Sequence, residues 1–167
     1  MYLSFNVKDK DTSITDLQQH LTSIRNWCFN NSFLINPDKT KLIVFGTKQM
    51  LSRLDDFKLS LLDKELTPCD SVRDLGIYVD PQLSYDEHIS KTLSSCPSRF
   101  CQINKVKHVF DQKTLKLVIN ALVFSRLFYC SSVWSNTAKK NVNKLQLVQN
   151  FAARIVVNKR KCDHVTP

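Results

Sequence analysis

The sequence predicts an α+β chain: a sheet-containing segment over residues 1–82, then an all-helical segment over residues 83–167. Apolar spacing is mixed as far as Asp80-Pro81, with short alternating runs and one helical run, and is helical beyond it. Charge divides at nearly the same place. Residues 1–83 carry 10 Lys/Arg and 11 Asp/Glu, whereas residues 84–167 carry 14 and 4. Glycine is scarce, 2 of 167 residues, which argues against Gly-rich phosphate loops, dinucleotide folds and hairpin-dense all-β architectures.

Met1–Val7 alternates apolar and polar positions and reads as a strand. Ser13 or Thr12 can cap a helix over residues 13–30, in which Ile14, Leu17, Leu21, Ile24, Trp27 and Cys28 recur at helical spacing and Asn30-Asn31 ends the run. Phe33–Asn36 is extended before Pro37. Lys41–Phe45 is an apolar strand ending at Gly46, residues 47–56 form a loop, and Phe57–Leu62 is a strand turning at Asp63-Lys64. Val72–Val79 is a further strand containing Gly76. Ser84 with Glu87 makes a capping box for the first helix of the basic segment. Pro97 suits the first turn of a second helix, running to about Phe110. Asp111 caps a long helix over residues 112–134, and Asn136-Thr137 opens a last helix over 138–157. Residues 158–167 form a basic tail.

Six cysteines without a C-x-x-C spacing, and a charged, polar start with no signal-peptide pattern, predict a reduced intracellular compartment, nucleus or cytoplasm. No uncharged apolar run reaches about 18 residues, so no membrane span is expected. The basic second half predicts an anionic partner, most simply nucleic acid, against the plainer reading of a solubilising surface.

Asn36-Pro-Asp-Lys-Thr-Lys-Leu-Ile-Val-Phe-Gly46 resembles block D of non-LTR (LINE-type, jockey-like) retrotransposon reverse transcriptases, which follows a helix carrying a Trp, here Trp27. Val72-Arg-Asp-Leu-Gly-Ile-Tyr-Val-Asp80 is similar to block E, the primer-grip hairpin of that family, and His88-Ile89 lies at the usual distance beyond it. Ala121–Trp134 and Lys144–Ile155 resemble the thumb region and the helix after it, and Asp163-His-Val-Thr-Pro167 also fits. The resemblance covers nearly the whole chain. It implies a partial palm, one helix plus about four antiparallel strands with blocks D and E in residues 1–82, followed by an all-α thumb-like bundle and connecting region in 83–167. It also implies template RNA and primer DNA as partners, and Mg²⁺ as the parent enzyme's cofactor, with none in this chain.

Two-metal nucleotidyl transfer needs carboxylates holding ions about 3.5–4 Å apart. The family's aromatic-Ala-Asp-Asp hairpin precedes the strand represented by Tyr2–Phe5 and is not in the sequence, so the expected catalytic set is none and the chain should not polymerise DNA alone. Asp55-Asp56 stands between block D and the next strand and reads as a solvated loop pair. Lys39 and Lys41 flank the block D turn, where a cation could offset charge on a leaving pyrophosphate or merely solvate the turn. Leu75, Gly76 and Ile77 carry the primer-grip resemblance. Gly76 allows close approach to a sugar-phosphate backbone, or forms a packing bulge. Arg99, Lys105, Lys107, Lys113, Lys116, Lys139, Lys140, Lys144 and Arg154 are the candidates for nucleic-acid backbone contact. Phe124, Phe128, Tyr129 and Trp134 read as core before stacking platform. Cys162-Asp-His164 lacks a second ligand pair, so no metal site is expected, and His20 and His88 have no evident partner. The rival readings are a non-catalytic helical module binding nucleic acid or protein, and a non-functional transposon relic.

Overall fold

The computed structural model describes residues 3–54, 56–160 and 163–164. The chain divides into two units, one of residues 1–74 with 80–83, the other of residues 75–79 with 84–167. Helices dominate and the strands are short, an α+β composition.

In the first unit a 3₁₀ turn at Val7–Asp9 leads into α1, Lys10–Asn30. The helix starts earlier than its apolar spacing suggests. Ser13 lies inside it, buried, and donates back to Asp9 O at 2.8 Å, so it does not cap. Asn31 caps the other end, its Nδ2 donating to Trp27 O at 2.8 Å. Three strands follow in this unit: β1 Leu59–Leu61, β2 Lys64–Leu66 and β3 Val72–Asp74. β1 and β2 pair antiparallel, with Leu59 opposite Leu66 and Leu61 opposite Lys64. Alternation buries Leu59 and Leu61 against Leu17, while Ile14, Leu21 and Phe57 complete the cluster. The carboxamide of Gln18 receives Ser60 N at 2.8 Å and donates to Ser60 O at 2.7 Å. It therefore satisfies the outer edge of β1 as a neighbouring strand would. With no glycine available, the β1–β2 turn uses Leu62 and Asp63 at φ 48° and 59°, the backbone that two-residue hairpins require.

Two expected strands are not formed among the described residues. Residues 3–6 belong to no ladder, and within 41–45 only Leu42 makes a bridge, a parallel one to Pro68, with Cys69 N donating to Leu42 O at 2.9 Å. A strand needs a neighbour that supplies both donors and acceptors, and Pro68 has no N–H to give. These two segments line an apolar groove of about 1040 Å³ together with Ile24, Leu54 and Phe57. The apolar stripe of α1 also leaves the core before its end. Trp27 is 61% exposed and stacks on Phe33, with ring centroids 6.2 Å apart and planes 12° apart. The stretch 47–56, expected to be irregular, contains a short helix α2, Lys48–Leu51, whose Thr47 hydroxyl accepts from Met50 N.

The second unit opens with β4, Ile77–Val79, and continues through α3 Asp86–Ser94, α4 Cys96–Val106, α5 Gln112–Ile119, α6 Ser125–Leu127, α7 Ser131–Trp134 and α8 Lys139–Val156. Pro97 sits in the first turn of α4, and Asp111 caps α5 by accepting from Thr114 N at 3.2 Å. Tyr85, left-handed at φ 58°, precedes α3, Ser84 Oγ accepts from Asp86 N, and Glu87 pairs with Lys91 at 2.5 Å. The first core packs Phe100 and Ile103 of α4 against Leu115, Ile119, Val123 and Leu127, and against Ala152 and Ile155 of α8. The second gathers Ile77, Tyr85, Ile89 and Trp134.

The single helix expected over 112–134 is broken twice. Residues Asn120–Phe124 form a π-helical turn between α5 and α6, and Cys130 takes a left-handed φ of 49° before α7. Spacing explains the first break. Leu115, Ile119, Val123 and Leu127 are all buried and all four apart. In an α-helix such a stripe drifts by about 40° per step, or about 120° over three steps. A π turn takes in an extra residue and winds less per residue, which brings Val123 and Leu127 back onto the core face. Its displaced carbonyls find other donors: Arg99 Nη1 reaches Leu122 O, and Ser125 Oγ reaches Ala121 O, each at 2.5 Å.

Because Ile119 is 1% exposed at the centre of this stripe, Ile119→Ala should destabilise the chain by about 2–5 kcal/mol in chemical denaturation. Leu117→Ala, at a position 61% exposed on the same helix, should cost about 0.5 kcal/mol or less.

Candidate nucleic-acid interface

The three residues of the expected primer grip occupy unlike environments. Ile77 is buried in the second core, whereas Leu75 is 84% exposed. Leu75 and Gly76 both take positive φ, 44° and 91°. The conformation suits glycine and is what a two-residue turn between strands requires; it costs a leucine roughly 1–2 kcal/mol, which contacts around the turn offset.

Those contacts come from residues that periodicity did not single out. Tyr129 donates its hydroxyl to Leu75 O at 3.0 Å, and its ring lies 3.4 Å from where a Cβ on Gly76 would stand. Trp134, buried, donates Nε1 to Tyr129 O at 2.9 Å and so fixes the backbone from which that ring projects. Tyr129 is thus neither simple core nor stacking platform, while Trp134 is core as expected. On the other side of the turn His88 is buried and receives Tyr78 N on Nδ1 at 3.4 Å, its ring tilted against Trp134 with centroids 6.0 Å apart. His88 therefore has partners. Burial holds its imidazole below the usual histidine range, as an accepting, neutral ring requires.

A polar node joins α3 to α8. Asp86 accepts from Lys140 Nζ at 2.5 Å and from Asn141 Nδ2 at 2.6 Å, and these two bonds hold its carboxyl below the usual range. Asn141, 1% exposed, also reaches Thr137 Oγ1 at 2.7 Å, and Thr137 donates to Ser84 O at 3.0 Å. Thr137 therefore ties the start of α8 to the residue before α3.

The nine candidate backbone-binding cations fall into two groups. Arg99 is committed to Leu122 O, Lys107 donates to Asn158 Oδ1 at 2.8 Å, Lys140 pairs with Asp86, and Arg154 Nε donates to Asp163 O at 2.9 Å. Lys105 on α4, Lys113 and Lys116 on α5, and Lys139 and Lys144 on α8 are exposed. Lys113 and Lys116 stand three apart and so share a helix face. In the first unit Lys39 and Lys41 are both exposed at the 36–40 turn, where Asp38 instead pairs with Lys64 at 2.6 Å.

Asp55, half of the tempting acidic pair, and Cys162 lie outside the described residues; Asp56 is exposed in a turn at φ 64°. Among the described residues no three His, Cys, Asp or Glu converge as metal ligands would. Among them, too, no helix is long and apolar enough to cross a membrane.

Over 147 residues, 85% of its length, the chain is 26% identical to "Probable RNA-directed DNA polymerase from transposon BS" of Drosophila melanogaster, of which it spans 16%. No family model and no solved structure matches it. The chain is thus related in sequence to a transposon-encoded RNA-directed DNA polymerase.

The depressed imidazole of His88 fixes a sign for pH dependence. Folding disfavours its protonation, so this contribution is complete above the ordinary value of 6.5 and is lost as pH falls below it. Thermal denaturation should therefore show stability declining from about pH 7 to pH 5, with the slope removed in His88→Leu. The contribution of Asp86, present above 3.8 and lost as pH falls through its lowered value, lies in a separate range.

Proposed function

We propose that the chain is a portion of a non-LTR, jockey-like retrotransposon reverse transcriptase that holds primer and template and does not transfer nucleotides on its own. The observation that carries this reading is the 147-residue match to a transposon polymerase. A match of that extent takes in most of residues 84–167, where 14 basic residues stand against 4 acidic ones. Residues 1–82 act as part of a palm and residues 83–167 as a thumb-like bundle with its connection. Lys105, Lys113, Lys116, Lys139 and Lys144 supply sequence-independent phosphate contacts, because each neutralised phosphate releases a counterion whatever the base. Leu75 and Gly76 bring main chain to the primer backbone, with Ile77 anchoring them from the core. Lys39 and Lys41 lie toward the incoming nucleotide in the parent enzyme. The metal-bound chemistry belongs to carboxylates elsewhere in that parent, and the setting is an intracellular, reducing compartment, nucleus or cytoplasm.

The test is anisotropy of a labelled RNA–DNA hybrid titrated with the full chain over a salt series. Affinity should fall steeply with salt, and replacing the five exposed lysines by Gln should flatten the log–log slope by about 0.7–0.9 for each phosphate no longer neutralised. Unchanged binding and slope in that variant would remove the thumb-like helices from the interface. Incubation with primer-template, Mg²⁺ and dNTPs should yield no extension; any extension would overturn the non-catalytic part of the reading.

A further inference from the structure

We propose that Tyr129 is the positioning residue of the Leu75-Gly76 turn, holding its main chain where it meets the recessed 3′ end of a duplex; the inference rests on the primer-binding reading of that turn. The turn takes a left-handed backbone and faces outward. Leu75 is left-handed with its side chain in solvent, and Gly76 follows at φ 91°. A solvent-facing turn needs no hydroxyl from 54 residues away to satisfy a carbonyl that water would serve, yet Tyr129 provides one.

Three features aim the phenol at this atom. Cys130 turns the backbone through a left-handed conformation directly after Tyr129. Trp134 Nε1 then holds Tyr129 O. The Tyr129 ring lies flush with Gly76, at ordinary contact distance from the missing Cβ. The neighbouring Cys130 thiol pushes the phenol up from its usual range, which keeps it a donor at physiological pH. Positive φ at Leu75 and Gly76 is what a two-residue turn between β3 and β4 requires. The hydroxyl of Tyr129 is additional to that requirement, and it fixes the orientation of Leu75 O at the surface.

The experiment compares two labelled RNA–DNA hybrids of equal length, one with a recessed DNA 3′ end and one blunt, bound by the full chain and by Tyr129→Phe. Loss of one hydroxyl should reduce the preference for the recessed end about three- to tenfold, while blunt-duplex affinity, its salt slope and the melting temperature stay near those of the parent chain. A merely structural hydroxyl would shift the melting temperature and leave the end preference alone, and that result overturns the proposal without touching the primer-binding reading. Equal binding of both hybrids by the parent chain would overturn the primer-binding reading, and this inference with it. Gly76→Ala provides a second route. It acts on the turn itself, through φ and the contact with the Tyr129 ring, and should abolish the same preference. In the double variant the effects should not add, whereas additive effects would also overturn the proposal.

Discussion

The indole of Trp134 is the contact on which the second unit's candidate site depends. It is buried among Ile77, Tyr85 and Ile89, faces the imidazole of His88, and gives its one polar hydrogen to Tyr129 O. A tryptophan is suited to this because a single planar side chain buries a large apolar area while its N–H still seeks a partner. Here the apolar part joins β4 to α3, and the N–H fixes the residue that reaches the exposed turn. Losing the indole would open the second core and free both supports of the Leu75-Gly76 turn together. The polar node of Asp86, Lys140, Asn141 and Thr137 acts in parallel, keeping α3 and α8 in one register so that the indole's pocket persists.

The distribution of cations separates surface charge from structural charge. The basic excess of residues 84–167 is a property of composition, but four of its members serve the fold by meeting carbonyls, an amide or a carboxylate. Arg99 shows why the distinction matters. Its planar fork suits a phosphate, yet one arm meets a carbonyl released by the π turn. Replacing it would disturb the helix before it altered any electrostatic surface. The exposed lysines on α4, α5 and α8 carry the remaining field, and their flexible stems suit diffuse attraction to a polyanion.

Periodicity made most of the helices legible, because burying one face is a local requirement that leaves its mark every three or four residues. It placed α8 to within a residue of its bounds, and it identified Asp111 as a cap. It failed where a feature depends on distant chain. The apolar run Leu42–Phe45 has a strand's composition, but composition cannot supply the neighbour a ladder needs, and only one bridge forms there. His88, Tyr129 and Asn141 reach partners 10, 54 and 55 residues away, distances at which no short pattern persists. The resemblance located the turn at Leu75-Gly76, and the tertiary contacts identify what steadies it. One missed signal was present in the residues: the apolar positions Leu115, Ile119, Val123 and Leu127 stand four apart, a spacing that drifts by about 40° per step in a straight α-helix.

That spacing has a consequence for how the chain tolerates change in length. The π turn at Asn120–Phe124 acts as a one-residue phase corrector within an otherwise continuous helical stretch. Deleting one residue among 120–122 would let the hydrogen bonds revert to ordinary α geometry, so the lesion would leave no gap. The flanking turns would keep their relation, because the residue lost is the one the π turn absorbs. Leu115, Ile119, Val123 and Leu127 would then stand four, three and four apart, a spacing that an α-helix keeps on one face. A residue added there has no such outlet: it needs a second bulge, or it turns one flank by about 100° against the other. Length over these five residues is thus forgiving of a single loss and strict against a gain.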